Sequence, residues 1–404
     1  MKGEIIMKKI KLGIIGVGAQ GGAYAGFITG KGGFPGMPAP RQPEYVELGA
    51  ICDTDPAKKA MCEEKYPEIP FFTDYKEMIA SGKVDSIVTC VPHYLHHEMA
   101  IYAMEHGINV LGEKPAGVRA KDVRLMNECA AAHPEVTFGI MFNQRTNKLY
   151  QQIKALIASG ELGEIRRTNW IINSWWRPDS YYQQSDWRAT WGGEGGGVLV
   201  NQAPHQLDLW LWMCGLPSKV YAKIINGAHR DINVDNDVTV VVEYPNGATG
   251  SFVTCTHDPV GTDRLEIDLD GGKIVVEDSK KATVYRFKNN EAHLNANMSM
   301  MDLMKLTMGN SSGGDGLYTV ETFENTDGWG FQHTTVMDNF AQNILEGTPL
   351  LAPGSEGING VNLANAIHLS AWTGREVSFP VCEEEYNTEL NKRIEEEGKF
   401  PVRA

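Results

Sequence analysis

Lys11-Leu-Gly-Ile-Ile-Gly16-Val-Gly18-Ala-Gln-Gly21 reads as an apolar strand running into a G-x-G-x-x-G turn and then a helix. Glycine at 16 permits the tight turn, glycine at 18 lets main-chain N–H groups approach a pyrophosphate, and glycine at 21 allows close helix–strand packing. The helix amino terminus adds free donors and about half a unit of positive charge. Glycine-rich turns are common, so context decides. Here the turn follows a strand, opens a helix, and is answered by an acid, Asp53, closing a second strand over Val46–Cys52. Asp53 comes 32 residues after Gly21, later than the usual ~20, and the Gly/Pro-rich insertion Gly30–Pro43 accounts for the excess. A carboxylate at that point accepts hydrogen bonds from ribose hydroxyls and repels a 2′-phosphate. The expected ligand is therefore NAD rather than NADP, held by Gly16, Gly18, Ala19, Gln20, Gly21 and Asp53.

Outward from this stretch, the chain alternates strands and helices as far as about residue 142. Strands are predicted at Ile10–Ile15, Val46–Cys52, Ser86–Cys90, Asn109–Leu111 and Thr137–Ile140, with amphipathic helices at Leu95–His106 and Lys121–Ala132. That alternation argues a parallel sheet covered on both faces. After residue 142 the pattern changes. A helix over Leu149–Ser159, a strand over Ile165–Asn173, a Gly/Trp-rich stretch and a helix over Gln206–Met213 precede long alternating strands from Lys219 to Phe287. Turn signals such as Pro245-Asn246-Gly247 and Asp270-Gly271-Gly272 separate those strands, which argues a mostly antiparallel sheet. Two helices, Thr334–Glu346 and Gly357–Thr373, and a charged tail complete it. The expected class is α/β: a Rossmann domain over 1–142 and an α+β domain over 143–404, with a tail from 381. The Gly30–Pro43 loop joins a helix to a strand, at the edge of a parallel sheet away from its ligand crevice. Packing or subunit contact is its expected role.

The 51 acidic residues outnumber the 37 Lys plus Arg, giving a formal net charge of −14 over 404 residues. So acidic a chain repels phosphate backbones and anionic lipid, and no basic run overturns this. No nucleic-acid or membrane partner is expected, and no apolar run reaches the ~18–20 residues of a membrane span. Met1–Lys11 does not read as a signal peptide, and Met7 is an alternative start. The seven cysteines are scattered without C-x-x-C spacing, as expected of reduced thiols in a cytoplasmic protein.

A second motif, Val84-Asp-Ser-Ile-Val-Thr-Cys-Val-Pro92-His-Tyr-Leu-His96, leads to Asn109-Val-Leu-Gly-Glu113-Lys114-Pro115. With the glycine turn, these residues resemble the Gfo/Idh/MocA oxidoreductases. Gly160-Glu-Leu-Gly-Glu-Ile165, Gly195-Gly-Gly197 ahead of His205, and Ala371-Trp-Thr-Gly-Arg375 extend the resemblance over about residues 8–380. It implies an N-terminal Rossmann domain, a C-terminal domain whose open sheet often builds homo-oligomers, and a carbohydrate substrate meeting nicotinamide between them. It also places Val91, Pro92, His93, His96, Glu113 and Lys114 around the cofactor. Lys114 matches the family lysine beside nicotinamide and the substrate hydroxyl. A partly desolvated lysine beside a cationic ring can lose its proton near neutral pH.

The family's other catalytic element is usually an aspartate followed four residues later by histidine. The stretch here is Gly197-Val-Leu-Val-Asn201-Gln-Ala-Pro204-His205-Gln-Leu-Asp208. His205 matches the histidine, and its ordinary pKa suits proton transfer. Asn201 replaces the acid; an amide orients a hydroxyl but cannot exchange a proton at pH 7. Acid–base work is thus expected of Lys114 and His205, with Asp208 near enough to orient the imidazole. Pro204 fits only a first helical turn, which puts Asn201 ahead of that helix.

Seven of the nine tryptophans fall between 170 and 212, interleaved with Arg177, Tyr181, Tyr182 and Arg188. Aromatic faces pack on the C–H faces of pyranose rings, and Trp187-Arg188 is the pair expected to touch substrate or cofactor. Trp210 and Trp212 are expected in a core. His93, His96 and His97 raise the question of a metal, but no further acid at suitable spacing completes a ligand set, so none is expected. The activity implied is hydride transfer between NAD and a secondary carbinol of a sugar, glycoside or cyclitol, including C3 of pyranosides. Two other readings stand beside it: an NAD-recycling enzyme that cleaves glycosides through transient oxidation and elimination, and a non-catalytic NAD- or sugar-sensing regulator.

Overall fold

The computed structural model describes residues 8–33, 41–311, 316–325 and 331–402. Met7 and the middle half of the Gly30–Pro43 loop, residues 34–40, lie outside the described residues. The first sheet holds β1 (Ile10–Ile15), β2 (Val46–Cys52), β3 (Phe71–Phe72), β4 (Ser86–Thr89), β5 (Asn109–Gly112) and β6 (Phe138–Ile140). Their order is β3-β2-β1-β4-β5-β6, every pairing parallel. Chain order reverses between β1 and β4, the switch point outside whose carboxyl ends a crevice opens. The glycine turn leaves β1 at that point. β3 has only two residues and no periodicity to announce it.

The second sheet comprises β7 (Ile165–Ile172), β8 (Lys219–Asn226), β9 (Asp235–Glu243), β10 (Thr249–Cys255), β11 (Asp263–Leu269), β12 (Gly272–Glu277), β13 (Lys281–Phe287), β14 (Tyr318–Glu324) and β15 (Val377–Ser378). The order is β14-β13-β12-β11-β7-β10-β9-β8-β15, antiparallel except for the β7–β10 pair. One cross-sheet row shows how alternation sets the faces. Ala222, Val240, Phe252, Trp170, Leu265, Val276 and Ala282 lie in register from β8 to β13, all buried. They join the core under helices Lys148–Ala158, Pro204–Cys214 and Gly357–Thr373. On the opposite face Tyr221, Ile225, Val241 and Ile171 are exposed.

A helix from late in the chain, Phe331–Glu346, packs against the first sheet rather than the second. Its Val336, Met337, Phe340 and Ala341 enter the core built by Ile10, Leu12, Ile14, Val46 and Leu48. Asp338 on that helix accepts the main-chain N–H groups of Glu44 and Tyr45 at 2.7 and 3.0 Å and pairs with Arg41 at 3.0 Å. Gln42 donates to the Ile28 carbonyl at 3.0 Å. The carboxyl end of the Gly/Pro loop therefore packs on protein.

Four of the seven free cysteines (52, 62, 214, 255) are buried, and Cys382 is exposed. Among the described residues, no helix is long and apolar enough to cross a membrane. The acidic tail forms a helix, Glu383–Glu397, anchored by buried Tyr386, Leu390 and Ile394.

Candidate active site

A cavity of about 890 Å³ runs from the end of β2 across the glycine turn to the second domain. Gly16, Gly18, Ala19, Gln20 and Asp53 line one end; Lys114, Tyr181, Trp187, Arg188 and Asn201 line the other. Gly16 has φ +87, and a Cβ there would lie 2.4 Å from the Cys90 carbonyl oxygen. A Cβ at Gly21 would meet the Gly16 oxygen at 1.9 Å, whereas nothing lies within 4 Å of one at Gly18. Internal packing thus demands the first and third glycines, and the second faces open space suited to a ligand's close approach. No side chain caps helix Ala19–Thr29 at Gly18, so its first-turn N–H groups stay available to an anion. Asp53 Oδ2 accepts the Val17 N–H at 2.8 Å and Oδ1 the Asp55 N–H at 2.9 Å, which fixes the carboxylate at the cavity edge. These residues fit a dinucleotide.

The middle of the cavity is built from main-chain anchors. His93 Nδ1 meets the Glu194 carbonyl at 3.0 Å, and the His93 ring lies edge-on to Trp187, 6.0 Å between centroids. His96 sets Nδ1 against the Pro115 carbonyl and Nε2 against the Val91 carbonyl, each at 2.9 Å. Neither ring nitrogen of His96 is therefore left for a metal. Burial holds both imidazoles below their ordinary pKa. Glu113 is buried, accepts the Tyr24 hydroxyl and the Lys114 N–H at 2.9 Å, and is pushed up by its own burial.

At the far end Lys114 Nζ donates to the Asn201 carbonyl at 2.9 Å. Burial lowers the ammonium's pKa, with Arg188 and Arg177 adding to the effect and Glu113 and Glu194 opposing it. Asn201 ends a short helix, Val198–Asn201, and Pro204 opens the next at its first turn, as the sequence implied. Arg188 donates to the Tyr181 hydroxyl at 2.7 Å and lies over the rings of Tyr181 and Trp187 at 4.6 and 5.0 Å. Of the seven clustered tryptophans only Trp187 lines the cavity. Trp170 and Trp210 are fully buried in the second core, and Trp212 packs partly against it.

Two expectations meet a different geometry. His205 is not among the cavity-lining residues; its Nδ1 is buried without a hydrogen-bond partner. Burial, with Lys114 and His333 adding their charge, drives its pKa well below the ordinary value. It is a neutral imidazole near pH 7, not one poised there. Asp208 does not orient it. Both Asp208 oxygens face Arg145, at 2.9 and 2.6 Å, and the pair is buried among core side chains. Helical geometry explains the difference: the apolar face of Pro204–Cys214 turns into the second core and carries Asp208 with it.

The sequence reading passed over three residues. His333, on the helix that returns to the first sheet, is pushed to about 4 by burial and the Lys114 charge. Tyr24 was hidden in an apolar helix. Glu194 stood in view as the one acid in Gly192-Gly193-Glu194-Gly195-Gly196-Gly197; it is buried and bonded to Asn201.

Residues 10–140 match the model of an oxidoreductase family with an NAD-binding Rossmann fold. Residues 150–275 match the GFO/IDH/MocA C-terminal domain. The oxidoreductase YteT of Bacillus subtilis (strain 168) is 26% identical over 186 residues, 44% of this chain and 42% of that protein. The chain thus spans less than half the length of this relative. The D-glucoside 3-dehydrogenase of Escherichia coli (strain K12) is 23% identical over 352 residues, 83% of this chain and 90% of that one. Among solved structures, the WlbA dehydrogenase of Bordetella pertussis, in complex with NADH and UDP-GlcNAcA, superposes with a TM-score of 0.71. It is 24% identical, and the match covers 93% of this chain and all of that one. Together the two family models span well over half of the sequence, and the chain belongs to the Gfo/Idh/MocA oxidoreductase family, with an NAD-binding Rossmann domain at its amino end.

Proposed function

We propose that the protein is an NAD-dependent dehydrogenase that oxidises a secondary carbinol of a sugar, glycoside or cyclitol, with Lys114 as the base. The observation that carries this reading is one continuous cavity joining the glycine turn and Asp53 to Lys114, Asn201, Tyr181, Trp187 and Arg188. Gly16, Gly18, Ala19, Gln20 and Asp53 would hold the dinucleotide, and NAD bound there would supply the hydride acceptor needed to oxidise CH–OH to C=O with release of one proton. Unprotonated Lys114 takes that proton at Nζ, and Trp187 offers the flat face that a sugar ring covers. His205 lies outside the cavity lining and is driven neutral by burial, so no proton-transfer step is assigned to it in this reading.

Likeness to a D-glucoside 3-dehydrogenase over 83% of the chain supports C3 of a glucoside as the reacting carbon. A panel of pyranosides, free sugars and cyclitols, followed at the reduced-nicotinamide absorbance band, tests this. 3-Keto products are expected, and activity confined to cyclitols would argue against it. Turnover without net NADH, with deuterium exchange into substrate, would instead mark the elimination chemistry.

Asp53 predicts cofactor choice. NAD should be preferred to NADP by at least about 10-fold in kcat/KM, and Asp53→Ser should narrow that ratio by weakening NAD. An unchanged ratio would remove Asp53 from the cofactor site. The exposed apolar side chains Tyr221, Val241 and Ile171 on the open sheet face support assembly of copies through that face; light scattering reads the mass directly.

A further inference from the structure

Glu194 makes contacts that its place in a run of five glycines does not require. Its carboxylate is 2% exposed. Oε2 accepts the Ala189 N–H at 2.6 Å; Oε1 accepts the Asn201 amide and lies 3.4 Å from the Arg188 guanidinium. Arg188 bonds the Tyr181 hydroxyl, which is 3.4 Å from Asn201 Oδ1. The Asn201 carbonyl in turn holds Lys114 Nζ. Glu194, Asn201, Tyr181 and Arg188 thus close a ring, to which Lys114 is attached.

We propose that Glu194 is a positioning residue whose buried carboxylate sets the orientation of the Asn201 amide and the Arg188 guanidinium around the substrate carbinol, and supplies the negative charge that an aspartate at position 201 would otherwise bring. The proposal rests on the dehydrogenase reading above. The chemistry of the amide carries it. Only an NH₂ group can donate to a carboxylate, so Glu194 settles which way Asn201 points and leaves Oδ1 as the acceptor facing the Tyr181 hydroxyl. An aspartate at 201 would instead set two carboxylates in contact, and both could not stay ionised. Asparagine at 201 and glutamate at 194 are therefore two halves of one arrangement, with the acid displaced by seven positions and the pairing preserved.

The groups acting on Lys114 are the carboxylates Glu113 and Glu194 and the guanidiniums Arg188 and Arg177, with the imidazoles of His93, His96, His205 and His333 also in range. Glu194 favours the charged ammonium. Neutralising it should lower the Lys114 midpoint.

The test uses the full chain with Glu194→Gln, Asn201→Asp and the double variant. Three quantities are followed: kcat and KM, the melting temperature, and the Lys114 midpoint from pH-dependent competitive acetylation resolved by mass spectrometry. Each single variant should lose about 10-fold or more in kcat. The double variant exchanges the two groups, so that an amide at position 194 can donate to a carboxylate at position 201. It should recover at least about 10-fold over Asn201→Asp. Glu194→Gln should move the Lys114 midpoint and the acid limb of kcat/KM to lower pH together. A double variant no faster than Asn201→Asp overturns the proposal. So does a Glu194→Gln protein that melts lower but keeps the Lys114 midpoint. If Glu194→Gln does not fold on its own, the double variant set against Asn201→Asp decides alone, and no recovery of kcat in the double variant overturns the proposal. Failure to oxidise any carbinol would sink the dehydrogenase reading and leave the acetylation result standing.

Discussion

Lys114→Ala is expected to lower kcat/KM by about 10²–10⁴-fold, the range of a positioned general base, while NAD still binds. In the proposed reading the dinucleotide would be held mainly at the opposite end of the cavity, which the glycine turn and Asp53 line. Fluorescence titration with NADH should therefore give an affinity within a few-fold of the parent. Lys114→Arg separates charge from proton transfer: it keeps the cation but cannot give up its proton at any working pH, so it should be as slow as alanine. The pH dependence has a definite sign. Oxidation needs the unprotonated amine, so kcat/KM rises with pH through the Lys114 midpoint. Burial places that midpoint below the usual 10.5, which moves the rising limb toward neutrality. A Lys114→Ala enzyme retaining most of its turnover would end the assignment of the base.

The second large effect concerns folding. Asp208→Asn leaves the Arg145 guanidinium with half of its bidentate partner in a site where both side chains are almost fully covered, at 2% and 3% exposure. Breaking a buried pair by removing one charge costs about 3–5 kcal/mol. The midpoint of urea unfolding should fall markedly, and Arg145→Met should behave similarly by stranding Asp208. Glu356, 2.5 Å from the same guanidinium, cannot make up the loss, being itself 39% exposed. Activity should be lost in proportion to unfolded protein. If Asp208→Asn instead melted like the parent and changed only the pH profile, Asp208 would be the imidazole's partner that its spacing suggested.

These two residues also show where the sequence was readable. Lys114 was singled out by the family resemblance that Glu-Lys-Pro carries; local periodicity placed only the strand it follows. The glycine turn, Asp53 and the five longer strands of the first sheet were legible for the same local reason. Asp208 was misread because spacing along a helix says which residues share a face, not what that face meets. Its partner Arg145 lies 63 residues away. Glu194 and His333 reach the site through contacts that no motif announces. Likewise the helix at 331–346 carried a clear amphipathic pattern, but nothing in that pattern named the sheet it covers.

That helix decides how the molecule could be taken apart. A fragment ending near residue 142 would leave Ile10, Ile14 and Leu111 without the Met337 and Phe340 side chains that now seal them, and it should be prone to clump rather than stand alone. Any graft of this substrate domain onto a relative's cofactor half would have to exchange the sixteen-residue helix with the recipient's own counterpart. The working unit of inheritance is therefore discontinuous: a front segment and a distant patch that must change in step.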